Sequence, residues 1–343
     1  MPVRVAVDVM GGDRGCRAII QGVREALQQQ SRIVEVHLTG ARDQIEAALA
    51  AEKLTDSRVR IVHASEVLTM EDKPVEGLRR KRDCSILRAV DLVRHQAADA
   101  VISAGNTGGI VASSTIRLRM LPGVDRPAIA TIIPSLEKEF VLVDSGANPE
   151  CKPLHLAQFA IMGSVYSRQV LGRDKPRVGI LSNGSEESKG TELTREAMKL
   201  CQAAPINFVG YVEGHDLFED RVEVVVTDGF IGNIVLKTCE SMGRGILALL
   251  RRELSTSPLR KLGVLMARAG FRNIKRRMDP EAYGGAPLLG LNGHVIKVHG
   301  SAGPVAVMNA LKQCAEIVHH GVNDQIVKEI AVSTGAAGVP APA

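Results

Sequence analysis

Residues 222–233, VEVVVTDGFIGN, and residues 140–150, FVLVDSGANPE, decide the fold class of this chain. Each begins with a run that is apolar on both faces of an extended strand and ends in a loop of Gly, Asn and Asp. Such runs are typical of parallel strands that are covered by helices on both sides. We therefore expect each stretch to form a strand, followed by a helix.

The same order of strand, loop and helix recurs along the chain. One of the helices that follow begins at Pro153, a residue well suited to a first helical turn. The alternation predicts an α/β fold with a mostly parallel open sheet and helices on both faces. Ligands of such sheets bind at the carboxyl ends of the strands. The other copies are residues 3–13, 98–109, 177–190 and 294–303.

The composition is that of a folded protein with few aromatic residues. The 343 residues include no Trp and carry a net charge of +5, so base stacking and a nucleic-acid partner are not expected. The six cysteines form no C-x-x-C pair, and neither a signal peptide nor a membrane span is visible. We expect a reduced, cytoplasmic protein with a single domain over residues 1–332 and a disordered tail over 333–343.

One segment, residues 255–278, interrupts the pattern with seven basic residues and no acidic residue. Apolar residues lie among these charges, as in basic helices that bind an anionic membrane surface or an acidic protein. A helical hairpin packed on a second copy of the chain is an equally good interpretation. The residues expected to make such contacts are Arg260, Lys261, Leu265, Phe271, Arg272, Lys275 and Arg276.

Glycine-rich loops at the strand ends are the candidate site. Gly lets backbone N–H groups approach a ligand, and the following helix adds partial positive charge, so several such loops on parallel strands predict an anion site in one cleft. For Asn106 and Thr107, simple turn formation and helix capping are the alternative. The candidate binding residues are Gly11, Gly12, Asn106, Thr107, Gly108, Asn148, Glu187, Gly229 and His299.

Charged side chains near these loops are the candidates for chemistry. Lys189 lies close in sequence to two glutamates and could neutralise a phosphate or polarise a carbonyl; a solvated loop is the alternative. Asp228 is one of several aspartates at strand ends, which could orient donors, act as bases, bind a metal or cap loops. His299 could bind a ligand or be structural. The other aspartates are Asp8, Asp13 and Asp144.

Common nucleotide, hydrolase and zinc motifs are missing from the sequence. It contains no G-x-x-x-x-G-K-[ST] loop and no G-x-S-x-G elbow, and GRGILA at 243–248 falls inside a helical run. His319 and His320 lack partners at zinc-ligand spacing. We therefore expect no cofactor and no metal.

Taken together, these motifs resemble one known family, the phosphate acyltransferases of phospholipid synthesis, which are acyl-[acyl-carrier-protein]:phosphate transacylases. The resemblance runs in order from about residue 3 to residue 325. It is carried by VDVMGGD, DKPVEGLRRKRDCS, SAGNTGG, DSGANPECKPLHLAQFA, GSEESKGTEL, VTDGFIGNIVLKTCE and GGAPLLGLNGHVIKVHGS.

The resemblance implies a homodimer with a fold similar to phosphotransacetylases and isocitrate dehydrogenase-like proteins. It implies transfer of a long acyl chain from acyl-carrier protein to inorganic phosphate, and a membrane glycerol-3-phosphate acyltransferase that consumes the product. It also implies peripheral membrane association through residues 255–278. The alternatives are a short-chain phosphotransacetylase acting on coenzyme A thioesters, a dehydrogenase of the isocitrate type and a non-catalytic membrane-surface scaffold.

Phosphate is itself the nucleophile in such a reaction, so no activated Ser or Cys is needed. Our hypothesis gives Lys189 the phosphate or oxyanion charge, with Asn233, Asn106 and Thr107 as hydrogen-bond donors. Asp228 would orient or deprotonate phosphate, and Asn148 and His299 would line the cleft. Acyl-carrier protein is acidic, so basic residues of 79–82 or 255–278 could steer its docking.

Overall fold

A computed structural model describes residues 1–336 and shows alternating strands and helices. The strands are β1 (Val3–Asp8), β2 (Ile33–Gly40), β3 (Val59–His63), β4 (Ala100–Ser103), β5 (Ala128–Pro134), β6 (Glu139–Val143), β7 (Arg177–Leu181), β8 (Asn207–Val212), β9 (Val224–Val226), β10 (Ala286–Leu289) and β11 (His294–Lys297). The helices are α1 (Gly15–Gln29), α2 (Arg42–Ala51), α3 (Pro74–Arg80), α4 (Ser85–Arg94), α5 (Thr107–Leu118), α6 (Pro153–Leu171), α7 (Glu192–Ala203), α8 (Gly229–Leu254), α9 (Pro258–Met266), α10 (Arg268–Arg277), α11 (Pro304–His319) and α12 (Val322–Ala336). Short 3-10 turns occur at Asp216–Phe218 and Pro280–Tyr283.

The strands form one sheet of 11 strands in the order β3-β2-β1-β4-β11-β10-β5-β6-β9-β7-β8. Most neighbouring strands are parallel, which confirms the predicted mostly parallel α/β sheet. The pairs β11–β10, β10–β5 and β5–β6 in the middle are antiparallel. Because of these three reversals, β6, β9 and β7 run opposite to β1, β4 and β11.

Alternate side chains of each strand pack on opposite faces of the sheet, as the strand period requires. Val5 and Val7 of β1 belong to a cluster with residues of α1, α6 and α11. Ala6 of the same strand belongs to a second cluster with residues of α4 and α5. Helices therefore cover both faces, which explains why the strands are apolar throughout.

Helices α5 and α8 lie on the same face of the sheet. Ile129 of β5 packs in the α4–α5 cluster, and Ile133, an even number of residues further on, packs in a cluster that α8 borders through Val235 and Leu236. The two helices begin at opposite edges, because the strands before them run in opposite directions.

The basic segment is helical and exposed. Residues 255–278 form α9 and α10, neither of which contains a buried residue, and they follow the long helix α8. The predicted protruding basic helical element is thus confirmed. No helix in residues 1–336 combines the length and the apolar character that crossing a lipid bilayer demands.

The chain end differs from the expectation of a disordered tail from residue 333. Helix α12 continues to Ala336, so residues 333–336 are helical. The rest of the predicted tail, 337–343, lies outside the described residues.

Candidate functional site

Three neighbouring strands, β1, β4 and β11, end in a row of polar side chains. Asp8 and Lys297 are both register partners of Ser103, so the three side chains lie on one face of the sheet. The Ser103 hydroxyl donates a hydrogen bond to Asp8 Oδ2 at 2.7 Å. Both of these residues are buried, and burial raises the pKa of the Asp8 carboxyl.

Two glycine loops meet above this row. A Cβ atom on Gly11 would lie 2.5 Å from Gly105 Cα, so only glycine permits this contact between the two backbones. Gly12, in the same loop, faces Gly300 across from it, and the Asp13 N–H donates to the Gly300 carbonyl at 2.8 Å. The predicted glycines Gly11 and Gly12 therefore form a floor between the 105–109 and 299–303 loops.

Asn106 serves structure through its side chain. Its Oδ1 caps α5 by accepting from the Gly109 N–H at 2.9 Å, and its amide nitrogen donates to the carbonyls of Thr69, Met70 and Asp72. These contacts occupy the amide, so the hypothesis that it donates to a ligand is replaced by the capping alternative. A Cβ on Gly108 would lie 2.4 Å from Pro74 Cγ, and Thr107 at the helix start is exposed.

Asp144 organises the loop after β6. Its buried carboxylate accepts from the backbone N–H groups of Ile129, Gly146, Ala147 and Asn148, while burial raises its pKa against the effect of these bonds. The Asn148 amide donates to Asp144 Oδ2 and to the Pro127 carbonyl. Both amide hydrogens are engaged, so the Asn148 side chain holds the loop together.

The first turn of α8 rests directly on this loop. A Cβ on Gly232 would lie 1.9 Å from the Asp144 carbonyl oxygen, and the Gly229 N–H donates to the Asn148 carbonyl at 2.8 Å. Asp228 caps the helix by accepting from the Ile231 N–H at 2.9 Å. The exposed side chain of Asn233 lies over Gly146. Asp228, Gly229 and Asn233 are thus brought together.

Lys189 and Glu187 lie on the loop after β7, the neighbour of β9. Both side chains are exposed. The Lys189 N–H donates to the Glu186 carbonyl at 2.9 Å, and Glu187 borders a cavity together with Arg195 and Lys199 of α7. Because β7 and β9 are parallel neighbours, this loop leaves the same sheet edge as Asp228.

The strand-end loops therefore form two groups in place of the single cluster expected from the sequence. Gly11, Asn106 and His299 belong to one sheet edge, whereas Lys189 and Asp228 belong to the other. The reason is the reversal of strand direction at β10, β5 and β6, which the sequence did not reveal.

Helix α8 connects the two groups. It starts beside Asp144, and two turns later Lys237 and Glu240 come within electrostatic range of His299; Lys237 also acts on Lys297. His299 Nδ1 accepts from the Ser301 N–H at 3.2 Å, which places its ring proton on Nε2. Burial, together with the charge of Lys237, lowers the pKa of His299, so the ring is neutral near pH 7.

Three residues of this arrangement are absent from the sequence-based candidates: Ser103, Lys237 and Lys297. Lys297 stands two residues before His299, and its position at a strand end was a usable signal. Ser103 and Lys237 could be found only from strand register and from the path of α8. Within residues 1–336, no group of three or more His, Cys, Asp or Glu side chains is arranged to hold a metal ion.

Comparison with known proteins shows what the chain is similar to. Residues 3–325 match the family model described as "Fatty acid synthesis protein". A phosphate acyltransferase of Syntrophotalea carbinolica is 44% identical over 326 residues, which cover 95% of this chain and 93% of the relative. A phosphate acyltransferase of Geobacter sulfurreducens is 43% identical over 328 residues, covering 96% and 94%.

Solved structures of similar fold include a phosphotransacetylase from Streptococcus pyogenes, with a TM-score of 0.63 and 16% identity over 92% of this chain and 94% of that one. The EutD phosphotransacetylase from Staphylococcus aureus gives 0.58 and 17%, with the same coverage. These likenesses confirm the expected phosphotransacetylase-like fold.

Proposed function

Because this chain belongs to the phosphate acyltransferase family, whose members are acyltransferase enzymes, we propose that it transfers a fatty acyl group reversibly from acyl-carrier protein to inorganic phosphate. The acyl-phosphate product would supply phospholipid synthesis through a membrane glycerol-3-phosphate acyltransferase. The structural observation that carries the proposal is that α5 and α8 both begin at glycine-cornered strand ends and lie on one face of the sheet.

In the proposed reaction, a phosphate oxygen attacks the thioester carbonyl carbon. A tetrahedral oxyanion forms, the C–S bond breaks, and the thiolate leaves and takes up a proton. Holding the dianion beside the carbonyl can supply about 7–11 kcal/mol, and each donor to the oxyanion is worth about 3–4 kcal/mol. The protein therefore needs positioned donors and cations, and needs no covalent nucleophile of its own.

The catalytic residues of the proposal come from the edge formed by β7 and β9. Lys189 carries the charge of the oxyanion or phosphate, Asn233 donates a hydrogen bond, and Asp228 orients phosphate through the carboxylate oxygen that does not cap α8. These assignments rest on residue chemistry and on the shared sheet edge.

Phosphate is held mainly by backbone groups in this proposal. The proposed donors are the N–H groups of Gly11, Gly12, Thr107 and Gly108 on one side and of Phe230 on the other, where Gly229 lets the first turn of α8 rest closely on the 144–148 loop. Asn106 and Asn148 position these loops through their side chains. His299 lines the cleft as a neutral donor through Nε2.

A direct assay tests the proposal. Purified full-length chain is mixed with palmitoyl-acyl-carrier protein and phosphate, and acyl-phosphate is trapped with hydroxylamine; omission of phosphate must abolish the hydroxamate. Lys189→Ala should reduce the rate by about 100-fold or more, whereas Lys175→Ala, at the opposite end of β7, should leave it unchanged. Hydroxamate formation at near-normal rates by Lys189→Ala would contradict the role of this lysine.

The short-chain alternative is favoured by one observation, the similarity of the fold to phosphotransacetylases. The same assay with acetyl- and palmitoyl-coenzyme A as donors separates the two functions. A higher kcat/KM with acetyl-coenzyme A than with palmitoyl-acyl-carrier protein would reverse the choice of donor.

For partners, we propose that the exposed basic residues Arg79 and Arg82, next to the start of α5, help to dock the acidic carrier protein. The exposed apolar residues of α8 would pack on a second copy in a homodimer, while α9 and α10 would attach the cytoplasmic protein peripherally to anionic lipid. The residues placed at the lipid surface are Arg260, Lys261, Leu265, Phe271, Arg272, Lys275 and Arg276.

Vesicle binding tests the lipid contact. The protein should cosediment with vesicles that contain phosphatidylglycerol and should be released from them by salt, because the attraction is electrostatic. Arg272→Glu combined with Arg276→Glu should abolish this binding without changing the turnover of soluble substrates. Equal binding to pure phosphatidylcholine would count against the anionic surface.

A further inference from the structure

The row Asp8–Ser103–Lys297 contains a cation that the proposed mechanism has not used. Asp8 and Lys297 flank Ser103 on adjacent strands, so their Cα atoms are separated by two strand spacings, about 10 Å. Ser103 donates to Asp8 and in turn accepts from the Gly105 N–H at 3.0 Å. The row is thereby tied to the glycine floor above it.

Lys297 has no carboxylate in contact. Its ammonium group donates to the carbonyl oxygen of the next residue, Val298, and within residues 1–336 it forms no ion pair with a carboxylate. The nearest charges of opposite sign are Asp8 and Asp13, which act on it at longer range. A half-buried cation without a contacting anion has lost hydration that an anionic ligand could replace.

Charged or titratable groups of four segments face Lys297, whereas β10 presents only Ala286 beside it. Asp8 comes from β1, Asp13 from the loop after it, Lys237 from α8, and His299 from the turn that follows β11. The two lysines approach each other across the junction of β11 and α8. Two cations next to the glycine floor create the positive potential that attracts an anion.

We infer that Lys297, aligned with Ser103 and Asp8 by the strand register, is a phosphate-binding residue of this site, and that Lys237 of α8 adds the second positive charge. The inference rests on the proposed function, because phosphate is the anion that the proposed reaction must bind. It places phosphate beside the glycine loops, next to Lys297 and Lys237.

This assignment predicts a pH dependence of phosphate binding. Burial lowers the pKa of Lys297 to about 8, although the carboxylates of Asp8 and Asp13 oppose that shift. In the free protein, Lys297 is thus mostly charged at pH 7 and mostly neutral at pH 9. Phosphate affinity should therefore fall as the pH rises through 8, by up to about tenfold per pH unit.

Titration calorimetry with inorganic phosphate alone, at pH 7.0 and 9.0, measures this directly on the full chain. Lys297→Gln should weaken phosphate binding at pH 7 by about 10- to 100-fold, the usual loss for a charge-assisted hydrogen bond. Lys297→Arg should restore much of the affinity and remove the loss at pH 9, because a guanidinium stays protonated. Lys312→Gln, whose ammonium group hydrogen-bonds Gln29 of α1, is the matched control and should bind as the wild type does.

Steady-state kinetics separate this role from a structural one. In Lys297→Gln the KM for phosphate should rise while the KM for palmitoyl-acyl-carrier protein stays within about twofold, since only one substrate contacts the residue. Wild-type phosphate affinity in Lys297→Gln would overturn the inference. If Lys297→Gln does not fold, the pH dependence of the wild type is the test. Equal affinity of the wild-type protein for phosphate at pH 7 and pH 9 would also overturn the inference.

The outcome is distinct from that of the proposed function. A wild-type chain that binds phosphate through Lys297 but forms no hydroxamate would contradict acyl transfer and leave the phosphate site standing. If the wild type forms hydroxamate but Lys297→Gln has an unchanged phosphate KM, acyl transfer stands and the phosphate site at Lys297 is contradicted.

Discussion

Helices α6 and α8 follow strand–loop segments of similar sequence, yet they differ completely in burial. Helix α6 is buried along most of its length, with Phe159, Val165 and Tyr166 fully inside. Helix α8 is longer, but only Gly229 and Gly232 in its first turn are buried. The first helix is part of the core, whereas the second touches the core mainly where it starts.

The two helices contribute different things to the molecule: α6 contributes to the core and α8 contributes an exposed surface. Helix α6 fills the space between the sheet and helices α7 and α12, and the Tyr166 hydroxyl accepts a 2.6 Å hydrogen bond from the Gln313 amide of α11. Helix α8 leaves Met242, Ile246, Leu249 and Leu250 exposed. This is the apolar surface that a second copy would cover in the proposed homodimer. The start of α8 thus serves the candidate site, and the remainder is free to serve an interface.

The largest expected effect is the difference in stability between a truncated apolar side chain in α6 and one in α8. Phe159→Ala should lower the free energy of unfolding by about 3–5 kcal/mol, because it removes a buried ring and leaves a cavity. Leu249→Ala, at a concentration where the chain is monomeric, should change it by no more than about 0.5 kcal/mol. Urea unfolding followed by circular dichroism measures both. A loss above 2 kcal/mol in monomeric Leu249→Ala would show that α8 is buried in solution.

The sequence pattern was sufficient to predict the sheet and the start of α6. It did not predict the direction of the central strands. The apolar runs of β6 and β9 predicted buried parallel strands, and they are parallel to each other. The antiparallel strands β10 and β5 carry no pattern that distinguishes them, because a central strand is apolar whichever way it runs. Strand direction depends on connections and packing, which single-sequence periodicity does not contain.

The site was also only partly predictable, because the sequence shows residue types but not which side chains the fold brings together. Glycines such as Gly11 and Gly229 were recognisable, because a close backbone approach demands them. The residue type of Asn106 predicts a donor to a ligand, but local backbone carbonyls engage its amide. Lys297 was overlooked because its significance lies in the register that aligns it with Ser103 and Asp8.

The next effect concerns the one place where α8 is firmly attached. Gly232→Ala would put a methyl group 1.9 Å from the Asp144 carbonyl oxygen, a backbone atom that cannot turn away. We expect a loss of about 1–3 kcal/mol from overpacking and a loss of acyl transfer, because the cap at Asp228 moves away from the 144–148 loop. Thermal unfolding and the hydroxylamine assay measure the two effects. Wild-type stability and activity in Gly232→Ala would mean that the first turn of α8 does not rest on this loop.

The smallest effect has the opposite sign and tests the exposed part of the same helix. A Cβ on Gly245 meets no atom within 4 Å, so Gly245→Ala should stabilise the monomer by about 0.5–1 kcal/mol through helix propensity alone. Gly270→Ala in α10, equally open, is the matched control. If a second copy packs closely on α8, sedimentation should show weaker self-association for Gly245→Ala than for Gly270→Ala, since the added methyl group would obstruct only that interface. Destabilisation of the monomer by Gly245→Ala would refute the open surface that distinguishes α8 from α6.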